Sequence, residues 1–69
     1  MRENSLQLQV ESVLLQDRLT EDSDIEVLDN NGIVTLRGTV PSREARDRAE
    51  AIAREVSGVT TVINELDVI

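Results

Sequence analysis

The chain has 69 residues, enough for one small core, and its 39% hydrophobic content comes almost wholly from Val, Leu, Ile and Ala, with no Phe, Trp or Tyr. Fourteen acids against seven arginines give a net charge of −7 and a pI near 4.3, which repels phosphate polymers and argues against nucleic acid as a partner. The absence of Cys, His, Lys and Tyr removes disulfides, thiolate metal sites, imidazole bases, Schiff-base amines and nucleophilic thiols together.

From Ser5, a good N-cap, Leu6, Val10, Val13 and Leu14 recur at helical spacing and predict a helix over about residues 5–18. Leu8 and Leu15 lie off that stripe, either as peripheral core or as side chains available for shallow insertion into a surface. Thr20-Glu21-Asp22-Ser23-Asp24 breaks the pattern and reads as a solvated acidic loop. Its carboxylates, with Asp29 and Asn30, do not reproduce the spacing of a twelve-residue calcium loop, so no metal site is expected.

A strand is predicted at about 25–29 and a second, β-branched one at 33–40, joined through Asn31-Gly32. Asn-Gly suits a type I′ turn because both central residues need positive φ, although a four-residue loop from Asp29 to Gly32 would preserve the same faces. The two-residue turn sets Val27 opposite Leu36 and Glu26 opposite Arg37, giving one apolar face and one carrying an ion pair.

Pro41 and Ser42 end the second strand and start a helix over about 43–57, with Ala45, Ala49, Ile52, Ala53 and Val56 inward and Gly58 at its C′ position. Its outer surface holds four oppositely charged i,i+4 pairs, Arg43/Asp47, Glu44/Arg48, Arg46/Glu50 and Glu50/Arg54. A third strand follows at about 59–68, with Val62, Leu66 and Val68 on one side and Ile63, Glu65 and Asp67 on the other. The order αββαβ predicts an α+β fold, one small domain over 1–69, with a mixed three-stranded sheet, the second strand central and both helices packed on one face.

No catalytic, cofactor-binding or metal-ligating set emerges, because the remaining carboxylates are not placed by sequence in any cleft. Gly32 serves the turn and Gly58 the helix end. Gly38 shares parity with Leu36, so its missing side chain admits either the backbone of the second helix or a ligand. Asn64 shares parity with Val62 and Leu66 and must find partners, either as a clasp to nearby backbone or as a ligand group. The uncovered sheet face should present Leu28, Ile33, Arg37 and Ile63, a candidate interface for a protein partner or a weak homo-oligomer or else scattered surface aliphatics, and the outer strand edges offer a second route to association.

These residues together resemble the BON domain family of small bacterial modules. The carriers are Ile25-x-Val27, the run from Asn31 to Ser42, the helix with Arg46, Ala49 and Ile52-Ala53, and Val56-x-Gly58-Val59 leading to Val62-x-Asn64-x-Leu66. The resemblance implies a non-catalytic binding module that associates with phospholipid or envelope surfaces in osmotic-stress and related proteins of the bacterial periplasm or envelope. In some members it implies self-association, chaperone-like behaviour or potassium sensing beside a peptidoglycan-binding domain. Met1-Arg2-Glu3-Asn4 does not lead into the apolar region of a signal peptide, and no transmembrane segment is expected.

Overall fold

A computed structural model describes residues 5–69; the N-terminal stretch read above for a leader, residues 1–4, lies outside the described residues. Helix α1 runs Leu6–Gln16, followed by β1 (Asp24–Asn30), β2 (Ile33–Val40), α2 (Arg43–Glu55) and β3 (Thr61–Val68). Ser5 caps α1 by accepting the Leu8 N–H at 3.1 Å, and Ser42 caps α2 by accepting the Ala45 N–H at 3.1 Å. Both helices stop short of the expected ends because Asp17 and Val56 are already extended.

The sheet order is β1-β2-β3, with β1 antiparallel and β3 parallel to the central β2, which is the α+β arrangement expected. Asn31 and Gly32 have φ of 53° and 91°, so the hairpin uses the two-residue turn rather than the longer loop. Val27 accordingly pairs with Leu36 and Glu26 with Arg37.

Val27, Val34, Leu36, Val40 and Leu66 turn toward the helices and bury against Val10 and Leu14 of α1 and Ala45, Ala49 and Ala53 of α2. The three alanines, four residues apart, form a flat stripe on α2 that lets it lie close to β2 and β3. Both helices therefore cover one sheet face and leave the other uncovered. Val68, expected inward, is 40% exposed at the last position of the edge strand β3, although its register partner Val40 on β2 is fully buried.

Several local expectations give way to longer-range packing. Gly58 lies two residues past the cap residue Val56, not at C′; the Val59 N–H returns to the Val56 carbonyl at 3.1 Å, and Gly58 takes φ of 101° inside that turn, delaying β3 to Thr61. Gly38 does not make room for α2. Its φ is 126°, and a Cβ there would lie 2.0 Å from the backbone oxygen of Asp24 on β1, so the close approach is strand to strand. Thr20, read as part of a solvated loop, is 1% exposed, and its hydroxyl donates to the Leu14 carbonyl left free at the end of α1.

Candidate functional site

Two surfaces stand out on opposite sides of the molecule: the outward face of α1 and the uncovered face of the sheet. On α1, one turn every 3.6 residues places Leu8 and Leu15 within about 20° of each other and about 100 to 160° round the helix from Val10 and Leu14. They are 60% and 66% exposed, so neither is peripheral core. Leu19 follows in the turn beyond the helix and is also exposed. Leu8 stands on the wall of an open groove of about 660 Å³ between α1 and the end of α2, which Val13, Ile52 and Val56 also line.

The contrast between the helices sharpens this surface. Within its eleven residues α1 carries one charge, Glu11, whereas the thirteen of α2 carry eight. A solvated helix on a strongly acidic chain has no folding requirement for bare leucines on its outer face. The signal was present in the sequence, as Leu8 and Leu15 seven residues apart and as the charge count of each helix. Periodicity sets these residues off the core stripe but leaves open whether they are peripheral core or exposed surface.

The uncovered sheet face is ordered by strand register. Leu28, Thr35 and Ile63 form one row across the three strands, with Asn30, Ile33 and Thr61 in the next row toward the hairpin turn. In the other direction come Glu26, Arg37 and Glu65, then Asp24, Thr39 and Asp67. Leu28, Ile33 and Ile63 are each about two-fifths exposed, and the face therefore has an aliphatic end and an acidic end. Arg37 turns to Glu65, its Nε donating at 3.2 Å, rather than to Glu26 as the hairpin alone suggests. The parallel neighbour supplies the nearer carboxylate.

The remaining residues of interest serve the frame. Gly32 is buried, its N–H donates to Asp29 Oδ1 at 3.1 Å, and its carbonyl accepts the Thr60 N–H at 2.9 Å, joining the hairpin turn to the α2–β3 loop. Gly58 in that loop lies beneath Leu6 of α1, whose Cδ1 would be 3.5 Å from an added Cβ. Asn64 joins β3 to α2: its Nδ2 donates to the Arg46 carbonyl at 3.1 Å and to Glu50 Oε1 at 3.3 Å, and its Oδ1 accepts the Leu66 N–H at 3.1 Å.

That last bond occupies a backbone donor on the outer edge of β3. On β1 the peptide groups of Val27 face away from β2, yet Val27 is fully buried. Each edge thus has one mid-strand position taken up, at Leu66 and at Val27, while Val62 and Val68 of β3 and Ile25 and Asp29 of β1 keep outward-facing peptide groups.

Of the expected charge pairs along α2, Arg54–Glu50 forms at 2.9 Å. Arg48 instead reaches Asp17 at the end of α1, donating from Nε at 3.2 Å and from Nη2 at 3.0 Å to one carboxylate oxygen. Arg46 lies 3.6 Å from Asp47. The Arg48 guanidinium, helped by the Leu19 N–H, holds the Asp17 carboxyl below the usual aspartate range, and Asp17 in turn raises Arg48. Among the described residues no group of three or more acids gathers to hold a metal ion, and no helix is long and apolar enough to cross a membrane.

The BON domain family model matches residues 2–69. The chain belongs to the BON domain family. It is 40% identical over 58 residues to "Osmotically-inducible protein Y" of Escherichia coli, an alignment covering 84% of this chain and 29% of that protein. It is 34% identical over 67 residues to "Outer membrane lipoprotein DolP" of Haemophilus influenzae, covering 96% of this chain and 35% of that protein. This BON chain thus spans about a third of the length of the curated relatives it matches.

Proposed function

We propose that this BON domain is a non-catalytic module that associates with phospholipid surfaces of the bacterial envelope through the outer face of α1. The observation that carries the reading is the nearly uncharged α1, with Leu8 and Leu15 more than half exposed beside a helix crowded with charge. An amphipathic face of this kind buries into the boundary between headgroups and acyl chains. The Haemophilus influenzae relative, an outer membrane lipoprotein by name, supports an envelope setting. The missing His, Cys, Lys and Tyr support a role without chemistry.

The magnitudes favour weak, reversible contact. Burying the exposed parts of Leu8, Leu15 and Leu19 would contribute roughly 3 to 5 kcal/mol, far below what anchors a protein to a bilayer unaided. The net charge of −7 opposes anionic headgroups, so binding to anionic vesicles should strengthen as salt screens that repulsion.

Flotation with neutral phosphatidylcholine vesicles and with vesicles containing phosphatidylglycerol tests this. Leu8→Ser with Leu15→Ser should abolish flotation, and Leu28→Thr with Ile63→Thr should preserve it. No flotation of the native chain at high lipid, with or without salt, would remove the lipid reading.

A further inference from the structure

We infer that the uncovered sheet face is a second docking surface, built for a protein partner that presents an aliphatic strip beside basic side chains. The register places the aliphatic row Leu28–Thr35–Ile63, with Ile33 next to it, directly against the Glu26–Arg37–Glu65 row. Four carboxylates, Asp24, Glu26, Glu65 and Asp67, share this face with one guanidinium, and that one is already paired with Glu65. A partner carrying positive charge beyond its apolar strip would meet both ends of the face at once.

A second copy fits poorly. Two such faces brought together would oppose eight carboxylates with two arginines, leaving only the aliphatic end free to pair. Three side chains, each about two-fifths exposed, fall well short of the about 800 Å² per partner that a standard stable interface buries. A basic partner can use the charged rows as well, so the whole face becomes available.

Position adds a consequence. This face lies on the opposite side of the sheet from both helices, since α1 and α2 pack on the side carrying Val27 and Leu36. A partner here leaves the outer face of α1 free, and the domain can hold a surface with one side and a protein with the other. The inference does not rest on lipid binding, and its test contains no lipid.

The test is an NMR titration of the native chain, observing backbone and methyl signals, with two short synthetic peptides, one alternating valine with lysine and one alternating valine with glutamate. The lysine peptide should shift Leu28, Ile33, Ile63 and the amides of Glu26 and Glu65, leave Leu8 and Leu15 in place, and bind several-fold more weakly at high salt. The glutamate peptide should shift nothing. Leu28→Thr with Ile63→Thr should lose the response, and Glu26→Gln with Glu65→Gln, which keeps the aliphatic row, should weaken it several-fold. Shifts spread evenly over the acidic surface, a response that survives loss of Leu28 and Ile63, equal binding of both peptides, or no binding would each overturn the proposal. So would concentration-dependent dimerisation of the native chain through this face.

Discussion

Arg48 of α2 donates twice to one carboxylate oxygen of Asp17, the residue that ends α1. The pair ties the two helices together, while the other Asp17 oxygen accepts the Leu19 N–H and shapes the turn toward buried Thr20. Because these donors hold the folded-state pKa of Asp17 below its unfolded value, the contribution is complete above the usual aspartate range near about 4 and is lost as pH falls through the folded value. Asp17→Asn should therefore lower stability at neutral pH and flatten the loss of stability on acidification. Urea midpoints of both proteins across the acid range measure this, and parallel curves would contradict it.

Thr20→Val probes the same corner without changing side-chain volume. It leaves the Leu14 carbonyl without its hydroxyl donor, and the expected cost is about 1 to 2 kcal/mol in urea unfolding. A threonine in a solvated loop would tolerate the change at no cost.

The elements, the hairpin register and the strand order are legible in the sequence because each follows from local rules: Asn31-Gly32 selects the turn, residue parity selects the face, and Ser42 and the alanine stripe define α2. What stayed hidden depends on residues far apart in the chain. Nothing near Thr20 announces that it folds back under α1, and nothing along α2 indicates that Arg48 prefers Asp17 to Glu44. On the candidate surfaces, the aliphatic sheet row could be read from alternation. The α1 face was legible only in part: Leu8 and Leu15 lie off the core stripe, but whether such leucines are peripheral core or exposed is decided by how the neighbouring elements pack around α1.

Gly38 separates two physical accounts. Were α2 the tight neighbour, Ala would be tolerated and only a larger side chain would overpack. With φ of 126° and the Asp24 backbone oxygen 2.0 Å from an added Cβ, Gly38→Ala alone should cost about 2 to 4 kcal/mol. Making α2 smaller at Ala45 by a change to Gly should give no rescue. Urea melts of the single and double variants decide between the two.

Asn64→Ala removes both halves of the bridge between β3 and α2. The Arg46 carbonyl keeps its helical environment, but the Leu66 N–H loses its acceptor on a nearly buried strand edge, so a cost of about 1 to 3 kcal/mol is expected. Hydrogen exchange should show the Leu66 amide losing protection ahead of the central strand. Unchanged protection would mean that the edge is closed by packing alone.

Leu8 and Leu15 supply the prediction that links stability to function. If these side chains belonged to the core, replacing each with Ser would remove buried aliphatic area and cost about 1 to 3 kcal/mol per site. At 60% and 66% exposure they contribute little to folding, and each single variant should melt within about 0.5 kcal/mol of the native chain. Leu14→Ser, one position from Leu15 but 3% exposed, is the internal control and should unfold the domain or destabilise it by several kcal/mol, about 3 or more. Thermal melts of the three variants, run on the same preparations used for vesicle flotation, then separate a docking residue from a folding residue. Variants at Leu8 and Leu15 that keep the melt and lose flotation place these leucines in the docking surface. Variants that lose both return them to the core.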